Sequence, residues 1–189
     1  TLKKHYQKQP ELKEIYNKYQ EEKYLKDVEY TLSYLSEALY HGKPKMFINY
    51  SRWLKVFLLN IGIKKDHIIT YYHVLKEILE SNFEEDKITL NNYFHKALQA
   101  METTSNINKS LINKENPQYK SAKQYLEYCL NGERKKAINF ILDIIESKVS
   151  VKDIYINIFQ PVQHEIGRLW QINKISVAEE HFCTSVTQL

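Results

Sequence analysis

Between residues 21 and 101 apolar side chains return every three or four positions, and very little interrupts them. Leu25, Val28, Leu32, Leu35 and Leu39 fall at helical spacing, and Phe47, Tyr50, Trp53, Leu54, Phe57 and Leu58 form a second, wider stripe. A 3.6-residue period places such side chains on one helix face, which must then be buried against another helix. The 189 residues include only four Gly and four Pro. That is too few for the many turns of a sandwich or barrel. The sequence therefore predicts an all-α fold.

The few breakers divide the chain. Residues 1–20 are polar and Lys-rich, a frayed lead-in or a first amphipathic helix starting near Pro10. His41-Gly42-Lys43-Pro44 reads as a helix-ending glycine followed by a proline that opens the next helix, over 44–60, which Gly62 closes. Asp66 is the expected N-cap of a helix reaching about residue 80, and Thr89 that of another through Phe94 and Leu98 to Met101. Residues 103–118 are rich in Asn and Ser and read as a connection. The expected organisation is a first helical domain over 1–104, a linker over 105–118 and a second domain over 119–189.

In the second domain a helix begins near Tyr119 and stops at Asn131-Gly132, and another spans 133–146. Ser150 caps the next with Asp153 as its N3 acid. Pro161 lies within that helix and should bend it, and Gly167 should end it. Trp170 then falls in a short loop. Ser176 followed by Glu179 is a capping box for the last helix. Val177, Glu180 and His181 stand there at i, i+3 and i+4, and share one face.

The two halves look like copies. An offset of 87 aligns Lys65/Lys152, Asp66/Asp153, Ile69/Ile156, Lys87/Lys174 and Ile88/Ile175 without a gap, with Phe83 opposite Trp170. Where the second copy has Glu180 and His181, the first has Tyr93 and Phe94. Two related four-helix units are expected, with the chemistry confined to the second.

Other function classes find little footing. A formal charge of +4 with Lys and Glu intermixed makes no electrostatic case for direct nucleic-acid binding. The most apolar run, 56–63, is too short to span a bilayer, so no membrane association is expected. Cys129 and Cys183 form neither a disulfide framework nor a metal knuckle and fit a reduced, cytoplasmic setting. His164-Glu165 with Glu180-His181 invites a metal reading, but neither His-Glu-x-x-His nor Glu-x-x-His occurs. No phosphate loop or nucleophile set can be named, so an enzyme is not the expectation.

The run QPVQHEIGRLWQINKISVAEEH resembles the helical cap of cobalamin-binding modules, and its Trp followed ten residues later by Glu-His resembles the cap of adenosylcobalamin-dependent sensors and regulators. The likeness spans residues 125–189. It implies a helical bundle covering the upper axial face of the cofactor, with Trp170, Val177, Glu180 and His181 facing it and no metal held by the protein alone. It also implies a partner: an α/β cobalamin domain whose Asp-x-His-x-x-Gly loop supplies the lower axial histidine. No Asp-x-His occurs in this sequence. The chain alone is therefore expected to bind cobalamin poorly, the α/β domain lying outside it. In light-sensing members a histidine follows the Trp, whereas Gln171 stands here, which leaves ligand sensing as open as light sensing. No helix-turn-helix of the repressor kind is seen near Thr1. Homodimerisation through the helical units is a further expectation. Two alternatives stay open, a corrinoid-protein subunit of a methyltransferase system and a helical interaction module without cofactor.

Overall fold

The computed structural model describes residues 1–105, 109–110 and 112–188, and the described residues form helices and connections without a strand. Two compact units divide the chain, Thr1–Asn106 and Ile107–Leu189. Of the linker expected over 105–118, Asn106, Ile107, Asn108 and Leu111 lie outside the described residues.

The first unit holds α1 (Leu2–Lys8), α2 (Leu12–Ile15), α3 (Lys18–Tyr40), α4 (Pro44–Asn60), α5 (Lys65–Asn82) and α6 (Lys87–Thr103). The lead-in is thus two short helices, and α3 begins at a capping box not foreseen from the sequence: the Asn17 side chain accepts from the Gln20 amide, and the Gln20 side chain from that of Asn17. Neither Asp66 nor Thr89 is a cap. Both lie inside helices that begin earlier, at Lys65 and Lys87. The core is aromatic, with Phe47, Tyr72 and Phe94 fully buried and the Phe47 and Phe94 rings edge to face at 5.3 Å. Lys55, 3 % exposed, donates to the carbonyls of Met101 (2.7 Å) and Thr104 (2.9 Å), so a buried ammonium satisfies the orphan acceptors at the end of α6.

The second unit holds α7 (Tyr119–Leu130), α8 (Arg134–Glu146), α9 (Val151–Ile154), a π-helical turn (Tyr155–Phe159), α10 (Gln160–Gln171) and α11 (Val177–Thr187). Ala122, Tyr125 and Cys129 of α7 pack with Ile154, Ile158, Val162 and Ile166, and with Cys183 and Val186 of α11. Pro161 explains the π turn. It cannot donate to the carbonyl of Asn157 four residues back, and its ring would clash there, so the backbone widens by one residue. The freed Asn157 carbonyl accepts instead from the Asn116 amide at 2.8 Å. A proline placed inside a helix thus pins the approach to α7.

Gly167 does not end α10, which runs a further turn to Gln171. The stop is Asn173, whose φ of 56° lies in the left-handed region. Its amide donates to the Trp170 carbonyl and that of Lys174 to the Leu169 carbonyl, closing a Schellman turn. Gly42 and Gly132 close α3 and α7 by the same bond pair. The two units thus end their first long helix with the same kind of turn.

Candidate functional site

Trp170 sits in the last turn of α10 rather than in a loop, and is half-buried. Six residues later Ser176 caps α11. Its hydroxyl accepts from the Glu179 amide (3.2 Å) while the Glu179 carboxylate accepts from the Ser176 amide (2.7 Å), completing the expected box. Those bonds hold the exposed Glu179 carboxyl below its usual range, the backbone bond contributing most. The first turn of α11 is thereby fixed, and with it the direction of every side chain it carries.

Val177, the first residue of α11, is 52 % exposed, an apolar group left on the surface. Glu180 and His181 are brought together: Nδ1 of His181 lies 2.6 Å from Oε2 of Glu180. A carboxylate only accepts, so Nδ1 must carry the proton, and Nε2 is the nitrogen left to face outward. The His181 side chain is 76 % exposed and that of Glu180 26 %. The second carboxylate oxygen, Oε1, accepts from the Thr184 hydroxyl at 3.1 Å. The four expected residues thus divide into an acid–imidazole pair that the structure joins by a short bond, an exposed valine at the helix start, and an indole on the preceding helix.

On α10 a buried acid is paired. Glu165, 5 % exposed, receives two bonds from Arg168, Nε to Oε2 at 2.9 Å and Nη2 to Oε1 at 2.6 Å. The hydrogen bonds to Glu165 strengthen the hold of the Arg168 guanidinium on its proton. Gln171 is 3 % exposed and belongs to the interior of the unit, not to the surface that carries His181. His164 is exposed on α10. Among the described residues no group of three His, Cys, Asp or Glu could hold a metal ion.

Val177 is thus an exposed apolar group at the start of α11, His181 turns Nε2 outward, and Glu180 is already bonded at both oxygens. Sequence reasoning missed Gln163, Thr184 and Thr187, which bond to the Glu180 end of this surface and to each other. Thr184 could have been found, four residues after Glu180 on one helix face. Gln163 had no signal, because it arrives from another helix.

No helix of the described residues is long and apolar enough to cross a membrane. No curated protein and no solved structure matches the chain. Residues 121–189, which hold Trp170, Val177, Glu180 and His181, match the family model for the B12 binding domain.

Proposed function

We infer that the second unit is the cap of an adenosylcobalamin-binding sensory or regulatory protein, closing over the upper axial face of the cofactor. Trp170, Val177, Glu180 and His181 are the residues that face it. The observation that carries this reading is the 2.6 Å Glu180–His181 bond on an exposed helix start beside an exposed valine, within residues matched by the B12 family. An acid spent on orienting an exposed imidazole is hard to explain by stability, since exposed pairs contribute little. Presentation of Nε2 to a ligand explains it.

Cobalamin when bound supplies the cobalt and its upper ligand. The chain's part is to cover that ligand, exclude water from it and contact it through the indole, the valine and Nε2 of His181. A ligand that binds one arrangement of cap and α/β domain better than another shifts the population between them, and that shift is the signal. The first unit then serves as a relay or dimerisation surface.

The test is adenosylcobalamin titration of the chain joined to its α/β cobalamin domain. Trp170→Ala and His181→Ala should each weaken binding by about tenfold or more, roughly 1.4 kcal/mol. Methylcobalamin, with a far smaller upper ligand, should lose less on the same substitutions. Equal affinities for the wild type and both variants would leave the unit as an interaction module.

A further inference from the structure

The polar contacts of Glu180 do not stop at its own helix. Its Oε1 shares the Thr184 hydroxyl with Oε1 of Gln163, at 3.1 and 3.2 Å. The Gln163 amide nitrogen donates to the Thr187 hydroxyl oxygen at 2.6 Å, and the Tyr125 hydroxyl lies 3.1 Å from that same oxygen. The Thr187 hydroxyl also lies 3.4 Å from the Cys183 carbonyl, so its proton has two acceptors to choose between and either hydroxyl of the Tyr125–Thr187 pair can donate. A single line of bonds therefore runs from His181, with a side chain 76 % exposed, to Tyr125, 1 % exposed, and joins α11, α10 and α7.

One link in this line is underdetermined. A threonine hydroxyl has one proton, and here two acceptors face it, the Glu180 carboxylate and the Gln163 carbonyl. Whichever takes the proton leaves the other short of a partner. With Thr184 bonded to Glu180, the carboxylate is held from both sides and Nδ1 of His181 is fixed as donor. With Thr184 bonded to Gln163, the amide is anchored to α11 at both ends, through Thr184 and Thr187, and Glu180 is free to accept elsewhere. These are two discrete arrangements of the same groups, the kind of element on which coupling between sites can rest.

We propose that Gln163 and Thr184 are positioning residues for the Glu180–His181 pair, and that the shared Thr184 proton couples the state of Glu180 to Tyr125 in the core. A molecule that donates to Glu180 releases the proton to Gln163, which tightens the α10–α11 contact and alters the surroundings of the Thr187–Tyr125 bond. What the switch responds to rests on the cofactor-facing reading of Glu180; the positioning itself does not.

The experiment uses the full chain with no corrinoid present, so its outcome is separate from that of the titration above. Nitrogen chemical shifts of the His181 imidazole report which ring nitrogen is protonated in the neutral form. In the wild type Nδ1 should carry the proton. Thr184→Val should lose that preference, Gln163→Leu, which removes the competing acceptor, should strengthen it, and Thr184→Ser, which keeps the hydroxyl, should retain it; helical circular dichroism verifies the fold of each variant. Glu180→Ala should shift the Tyr125 ring resonances, and the shift should vanish in the Gln163→Leu background. An unchanged His181 tautomer in Thr184→Val would overturn the positioning role. A Tyr125 response that persists without Gln163 would overturn the coupling.

Discussion

Ionisable groups drawn away from water in this protein are accommodated in two ways, by a partner or by a tighter hold on the proton. Glu165 belongs to the first, matched in both its oxygens by Arg168. Asp27 on α3 belongs to the second. Burial pushes its carboxyl up to about 6, against a weak opposing pull from Lys23. The sign follows from linkage. The unfolded chain releases this proton near 3.8 and the folded one near 6, so between those values the folded state binds more protons and loses stability as pH rises. Asp27→Asn should therefore leave stability at pH 4 nearly unchanged and raise it at pH 7 by about 1 kcal/mol, after discounting for partial exposure. Urea unfolding of both proteins at the two pH values is the check. The carbonyl of Asp27, which accepts from Thr31 and Tyr71, is untouched by the change.

At the scale of elements, positions that the internal alignment pairs differ in burial. Under the offset of 87, Leu90, Tyr93 and Phe94 of α6 stand opposite Val177, Glu180 and His181 of α11. The first three are at most 5 % exposed, whereas Val177 is 52 % exposed and the His181 side chain 76 %. Conversely Cys183 and Val186, buried in the second unit, stand opposite the exposed Lys96 and Gln99. The face of α11 that looks outward is therefore the face that α6 spends on its own core. Grafting the pair by Tyr93→Glu with Phe94→His should not create a second cobalamin surface. It should destabilise the first unit by more than about 4 kcal/mol, since it removes a buried ring and buries an acid. Thermal unfolding and cobalamin stoichiometry report the two halves of that statement. The π turn makes a second prediction. Asn116→Ala strips the Asn157 carbonyl of its donor beside Pro161 and should cost about 1–2 kcal/mol, read by denaturant titration.

For the molecule as a whole, the cap reading proposed above is one-sided: it assigns Val177, His181 and the indole to the upper face of the cofactor and leaves the lower face to an α/β domain. Adenosylcobalamin should accordingly bind this chain at least about 100-fold more weakly than it binds the chain joined to an α/β cobalamin domain, a difference of roughly 2.7 kcal/mol. Spectral titration of the two forms measures it. Tight binding by the chain alone would move the site elsewhere.

What the sequence determined by itself was local or patterned. Apolar period gave the helices, Gly42 and Gly132 marked two of their ends, Ser150 and Ser176 two of their starts, and the Trp170-to-His181 run carried the resemblance to cobalamin caps. Each of these depends on residues a few positions apart, whose geometry the backbone period dictates. The tertiary structure decided the rest. Periodicity says that a helix has an apolar face but not what covers it, so it could not tell that Phe94 is sealed in a core while His181 meets solvent. Nor could it supply the bond from Asn116 to Asn157, or the line from Glu180 through Gln163 to Tyr125. Those partners lie 41 residues apart in the first case and on three different helices in the second, and only packing brings them within hydrogen-bond reach.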